Sequence, residues 1–182
     1  MISQIKKCQE CKLCFNQEPL LDKGRKCEVF WVGLSAKKVL CEAETPLSPT
    51  TNSGKIIQKI EESLENISTY KTNLVKCLPL NEKQKLRYPD KKEIDSCFAN
   101  LQSEIKELSP KIVFLLGEKV YSSVGKHLNI KFNKWDEFNY DCKKHQDTYY
   151  IPVHHPSYIY VYKRKQTTQY ISSIENLINM LI

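Results

Sequence analysis

Three thiols open the chain at two-residue intervals, in the run Cys8-Gln9-Glu10-Cys11-Lys12-Leu13-Cys14. Two intervening residues make a turn that brings both sulfurs to one side, so this spacing can converge on a metal ion or an iron–sulfur cluster. A zinc ribbon needs a second CxxC, and the chain has none: Cys27, Cys41, Cys77, Cys97 and Cys142 stand singly. A thioredoxin-type CxxC follows a strand and opens a helix, whereas this cluster precedes the first apolar run. Iron–sulfur and zinc ligation both stay open on spacing alone. Two other groups carry chemistry: Asn73 to Cys77 (Asn-Leu-Val-Lys-Cys), and His154-His155-Pro156-Ser157-Tyr158. Ser53-Gly54-Lys55 has the ending of a P-loop. The leading glycine of that motif falls on Pro49 and no Ser or Thr follows Lys55, which excludes triphosphate binding of that kind.

These residues need a frame. Glu28 to Gly33 is a continuous apolar run ending in glycine, the pattern of a buried parallel strand entering a loop. Lys71 to Lys76, Lys111 to Leu116 and Thr148 to Val153 read as three more strands. Helical spacing appears in Ile57, Ile60, Leu64 and Ile67, with Asn52 or Ser53 as cap, and in Ile94, Phe98, Leu101, Ile105 and Leu108. A short helix follows Gly117, and Thr167 or Thr168 can cap a last one carrying Ile171, Ile174, Leu177, Ile178 and Leu181. Alternating strands and helices predict an α/β/α three-layer sandwich on a mainly parallel four-stranded sheet, one domain over residues 1–182. Gly33 onward, Asn73 to Cys77 and His154 to Tyr158 then all fall at carboxyl ends of strands, the edge where open α/β sheets bind ligands. The long loop from Leu34 to Asn52 has the length of a functional one.

Composition sets the class of partner. Hydrophobic content is 41% and charged content 27%, ordinary for a globular chain. Lys+Arg 28 against Asp+Glu 21 gives +7, which favours a polyanionic partner but is equally the mark of a lysine-rich proteome. No run approaches the ~18 apolar residues of a membrane span. The N-terminus has charge with no apolar run behind it, so it is not a signal peptide. The expected location is cytoplasmic, and the eight cysteines are not read as four disulfides.

The sequence resembles the iron–sulfur uracil-DNA glycosylases, the family 4 and 5 branch of their superfamily. Four motifs in order carry the resemblance: Cys-Gln-Glu-Cys at 8–11, Thr-Asn-Leu-Val-Lys-Cys at 72–77, Glu-Ile-Asp-Ser-Cys at 93–97 with Pro-Lys-Ile-Val-Phe-Leu-Leu-Gly at 110–117, and His-Pro-Ser-Tyr at 155–158. It implies a 4Fe-4S cluster on Cys8, Cys11, Cys77 and Cys97, with Cys14 as a substitute for one N-terminal ligand. It implies that Asn73 hydrogen-bonds an extruded base and that His155 stabilises the leaving base by donating to its carbonyl oxygen. The non-functional alternatives are an Asn capping its own turn and a loop histidine bonded to backbone. The base pocket falls on Gly33, Leu34, Ser35, Leu47 and Asn73. DNA contacts fall on Ser157, on Tyr158 and Ile159 as wedge residues, and on Lys163 and Arg164 at phosphates. Tyr158, Tyr160 and Tyr162 equally fit strand-like alternation.

The first motif departs from the family. Leu34 stands where a polar residue positions the attacking water, and Leu47 where a phenylalanine stacks on the base. Ser35, Glu42 and Glu44 are the residues that could take over the water. A pocket without its ring accepts a bulkier base, so uracil itself is not the expected preference. The resemblance implies a monomer acting on DNA: a monofunctional glycosylase that flips out a deaminated or modified base in base excision repair and leaves an abasic site. The alternative is a DNA-binding protein of the same fold with a degenerate site.

Overall fold

A computed structural model describes residues 2–24, 27–41 and 43–182. After α1 (Ile2–Ile5) the chain runs β1 (Val29–Ser35), α2 (Asn52–Glu62), β2 (Thr69–Val75), α3 (Lys91–Leu108), β3 (Ile112–Leu116) and α4 (Glu118–Leu128). It finishes with β4 (Lys143–His145), β5 (Thr148–Val153), α5 (Pro156–Tyr162) and α6 (Thr167–Leu181). The sheet order is β2-β1-β3-β5-β4, with every pairing parallel except β4 against β5.

Period-two alternation divides the strands between two cores. Val29, Trp31, Ile112, Phe114, Leu116, Ile151 and Val153 face α2, α5 and α6, where Ile57, Ile60, Ile159, Tyr170 and Ile174 pack on them. Phe30, Val32, Tyr70, Leu74, Val113 and Leu115 face α3 and α4, meeting Phe98, Leu101, Val120 and Val124. Both faces of the sheet are therefore covered, as the unbroken apolar runs require.

The sheet has five strands rather than the expected four. Lys-Lys-His at 143–145 is too short and too polar to show as an apolar run, and it forms only because β5 offers an edge across the Gln146-Asp147 turn. The cap of α2 is Thr51, whose Oγ accepts from Gly54 N (3.0 Å), rather than Asn52 or Ser53. On α6 the cap position is Gln166, with Thr167 already helical. Tyr158 to Tyr162 is helical rather than strand-like, because Pro156 opens the turn at its first position and His155 caps it.

Candidate active site and thiol site

Strand β1 lies between β2 and β3, so the chain leaves to opposite sides of it, and a crevice opens at the carboxyl ends where the order reverses. The cleft there has a volume of about 900 Å³. Leu34, Ser35, Leu47, Asn73 and His155 all line it, so the expected base-pocket side chains meet in one place.

Asn73 pairs with Gly33 in the β1–β2 register. A Cβ on Gly33 would lie 2.4 Å from Asn73 Oδ1, so only glycine leaves room for that carboxamide. Residue Asn73 is 4% exposed, and its side chain lines the cleft and makes no hydrogen bond to any described residue. Its carboxamide is therefore available to pair with a ligand in the cleft. Beneath it, Lys76 Nζ donates to the Asn73 carbonyl (2.6 Å), to Thr72 Oγ1 (2.8 Å) and to Glu104 Oε2 (2.5 Å). Glu104 on α3 also accepts from Tyr70 OH (3.0 Å) and Thr72 Oγ1 (3.1 Å). Four buried polar groups thus satisfy one another and hold the strand end on which Asn73 stands.

The two histidines have separate environments. His155 Nδ1 accepts from Ser157 N (3.2 Å) and lies 2.7 Å from Ser157 Oγ. A ring whose Nδ1 accepts carries its proton on Nε2 when neutral. Burial pushes the His155 pKa below its ordinary value, which favours that neutral form. Gly117 sits at φ +89°, and a Cβ there would lie 3.2 Å from His155 Cβ, so a side chain at this position would press on the histidine. His154 instead sits among Trp135, Phe138, Tyr140 and Tyr158, with Nδ1 2.9 Å from Tyr140 OH. Burial, and then the Lys163 charge, hold its pKa down at about 4. It packs the wall behind the cleft and does not line it.

Of the residues named for the attacking water, Ser35 lines the cleft. Glu44 is tied down: it accepts from Lys37 Nζ (2.8 Å) and Leu40 N (2.8 Å), contacts that hold its carboxyl below the ordinary range. Glu42 lies outside the described residues. Sequence reading missed Glu118, the one carboxylate among the described residues that lines the cleft, in the first turn of α4 beside Gly117. Its signal was present: it directly follows the carboxyl end of a strand and a glycine.

The DNA-contact group divides. Ser157 and Tyr158 line the cleft, Tyr158 with 40% exposure. Ile159 is a correction: it has no exposure and belongs to the core beneath α5, so it cannot wedge into a duplex. The helix turns it inward, where a strand would have alternated. Lys163 and Arg164 follow α5, their cationic groups over the rings of Phe138 (5.6 Å) and Tyr160 (5.2 Å).

Cys8, Cys11, Cys14, Cys77 and Cys97 surround a second, small pocket below β2. No set of three or more His, Cys, Asp or Glu side chains among the described residues is gathered tightly enough for a single metal ion. The five thiols come from the N-terminal arm, the end of β2 and α3, so three separate segments meet at this pocket. Burial first, and then the neighbours Cys97, Cys11, Cys8 and Cys14 in that order, push the Cys77 thiol up to about 12. The thiol is therefore the favoured form with no metal bound, and a cationic centre would shift the balance to the thiolate. N–H donors already point at the sulfurs: Asn100 Nδ2 at Cys8 Sγ (3.3 Å) and Cys97 Sγ (3.8 Å), and Lys76 N at Cys97 Sγ (3.4 Å). Such bonds are what thiolate ligands take from their surroundings. Among the described residues, no helix is long and apolar enough to cross a membrane.

Fold and cleft define a doubly wound α/β protein with a ligand site at its strand ends. The chain belongs to the uracil DNA glycosylase superfamily, whose family model matches residues 14–178. Within it the chain is family 4-like. It is 28% identical over 164 residues to a type-4 uracil-DNA glycosylase of Sulfurisphaera tokodaii, a match covering 85% of this chain and 71% of that one. Its fold is similar to that of a crystal structure of SMUG2 from Pedobacter heparinus, with TM-score 0.52 and 12% identity over 86% of this chain and 76% of the other.

Proposed function

We propose that the protein is a monofunctional DNA glycosylase that takes an extruded deaminated or modified base into the cleft and hydrolyses its N-glycosidic bond, leaving an abasic site. The observation that carries this reading is the unpartnered, buried carboxamide of Asn73 across the same cleft as a histidine held with its proton on Nε2. Asn73 pairs with the base edge, donating and accepting at once. His155 donates from Nε2 to the base carbonyl oxygen as negative charge develops on the leaving group. Glu118, assisted by Ser35, orients the water that attacks C1′; neither Leu34 nor Leu47 can. Leu47, which lines the cleft where a ring would stand, leaves room for a base larger than uracil.

Cys8, Cys11, Cys77 and Cys97 would hold a 4Fe-4S cluster, with Cys14 beside them as a substitute for one N-terminal ligand. When bound, the cluster would tie the N-terminal arm to β2 and α3 without taking part in hydrolysis. The protein acts on DNA as a cytoplasmic monomer.

The test is a panel of single- and double-stranded oligonucleotides carrying uracil, hypoxanthine or larger modified pyrimidines and purines, with alkali-induced scission reporting abasic sites. We expect scission on at least one base and its loss in His155→Ala. No scission on any base, with salt-sensitive DNA binding intact, would leave a binding protein with a degenerate site.

A further inference from the structure

The thiol pocket holds one sulfur more than a four-ligand cluster takes. Cys14 lines it as a fifth, beside Cys8, Cys11, Cys77 and Cys97. Cys77 and Cys97 are buried, whereas the three thiols of the N-terminal arm are only half-buried.

The two CxxC spacings of that arm are not equivalent. Cys11 stands at the cap position of a one-turn 3-10 helix, Lys12–Phe15, and Cys14 N donates to the Cys11 carbonyl across the turn (3.4 Å). A turn closed by such a bond holds its end Cα atoms within about 7 Å, and a disulfide usually spans about 4.4–6.8 Å between Cα atoms. Cys8 belongs elsewhere. Its N–H donates to the Ile5 carbonyl (3.0 Å) in the turn after α1, and its Sγ accepts from Asn100 Nδ2 of α3 (3.3 Å).

Contacts that involve no thiol hold the Cys11–Cys14 turn at the pocket. Leu13, between the two cysteines, is 3% exposed and packs with Val75. Asn16 Nδ2 donates to the Leu78 carbonyl (2.9 Å), and Gln17 bonds both the Lys37 carbonyl (3.1 Å) and Val39 N (2.8 Å). The two sulfurs therefore stay neighbours whether or not the other ligands are engaged. No strand leads into the turn, which separates it from a thioredoxin-type site.

We propose that Cys11 and Cys14 are a reversible dithiol that gates loading of the thiol site, with a low-molecular-weight disulfide as the oxidant. One thiolate attacks that disulfide, expels one small thiol and leaves a mixed disulfide; the other thiolate attacks the protein sulfur of the mixed disulfide and expels the second. Two protein thiols are oxidised to one disulfide, and the small disulfide is reduced to two thiols, which carry away both protons. While the Cys11–Cys14 bond stands, Cys11 is withdrawn from the ligand set and the chain takes up no cluster until it is reduced. The proposal rests on the thiol site holding the cluster, and not on which base the cleft takes.

The test uses the full chain, stripped of metal by a chelator under reducing conditions and then equilibrated anaerobically with set ratios of oxidised to reduced glutathione. Alkylation traps the free thiols before digestion with trypsin. Cleavage after Lys12 separates the two cysteines, so their peptides should stay joined in the oxidised chain and part on addition of dithiothreitol. The link should persist in Cys8→Ser and vanish in Cys11→Ser and Cys14→Ser. The folded chain should form it at a glutathione ratio at least about 10-fold less oxidising than the chain in urea. Given ferrous iron and sulfide, reduced wild type should gain visible absorption and oxidised wild type should not until it is reduced. A Cys8–Cys11 link in place of this one, equal ratios with and without urea, or an oxidised chain that loads as fully as a reduced one would each overturn the gate. The mapping is made without metal, so failure of the gate is distinguishable from failure of the cluster: a reduced wild type that never gains the absorption sinks both, even where the link forms.

Discussion

Lys76 and Glu104 form an ion pair, Nζ to Oε2 2.5 Å, in which neither side chain has any solvent exposure. The pair stands between the two sites: Lys76 Nζ reaches the Asn73 carbonyl while its backbone N–H reaches Cys97 Sγ. One residue thus touches both the strand end that carries Asn73 and the sulfur of Cys97. Breaking a buried pair leaves an uncompensated charge, which costs roughly 3–5 kcal/mol. Glu104→Gln should therefore lower stability by about that much in urea titration, and Lys76→Met combined with Glu104→Gln should recover most of it. If the single variant matches wild type, the pair contributes nothing to holding the strand.

Activity and stability should respond to acid through different histidines. Burial lowers the His155 pKa, so its Nε2–H form persists below the ordinary value of about 6.5. The rate should stay flat through pH 6.5 and fall only at more acid pH, and a midpoint at or above 6.5 would contradict that role. His155→Ala should cut kcat by about 10²- to 10³-fold with little change in KM. His154 acts on folding. With its folded pKa at about 4, the unfolded chain takes up the extra proton between about pH 6.5 and 4. Stability is then constant above that window and declines as pH falls through it. The slope of Tm against pH should flatten in His154→Phe.

Gly33→Ala tests the approach of β1 to Asn73. Its new Cβ would lie 2.4 Å from Asn73 Oδ1, and the carboxamide is the freer of the two to move. We expect a loss of at least about 10-fold in kcat/KM, since displacement of a positioned group by ~1 Å can cost 10²-fold. Thermal melting should change far less. Intact activity in Gly33→Ala would remove Asn73 from the base edge.

The proposed water site is at Glu118 with Ser35, both of which line the cleft near the strand ends. Glu118→Gln should lower kcat by about 10²-fold or more, in the range of general-base contributions, and Ser35→Ala by less. Glu44→Gln should act on loop stability and not on rate, because its carboxylate is already taken by Lys37 and Leu40. The reverse ordering would move the water to Glu44.

Iron content and visible absorption of anaerobically purified protein test the thiol site. Cys77→Ser and Cys97→Ser should lose the absorption and lower Tm together, because both sulfurs are buried between β2 and α3. Cys14→Ser should keep both. A colourless wild type carrying stoichiometric zinc would refute the cluster.

Much of the frame was legible in residue order alone. Unbroken apolar runs ending in Gly33, Leu116 and Val153 specified buried parallel strands, since only strands covered on both faces are apolar at every position. With them came the placement of Asn73 and His155 at one edge of the sheet, and the thiols at 8, 11, 77 and 97 as a set by their likeness to a family. What tertiary structure decided were matters of partnership at long range. Lys76 is polar in any sequence pattern, and its complete burial follows from Glu104, 28 residues on. Ile159 faces the core because a proline and a histidine cap turned its segment into a helix. His154 and His155 are adjacent in the chain, yet one meets an aromatic wall and the other a cleft, because successive residues at a strand end point to opposite sides. Glu118, Tyr88 and Tyr162 became cleft residues only when the parallel strands closed side by side. Local pattern sets which face a side chain takes; what meets it there depends on segments the local pattern does not contain.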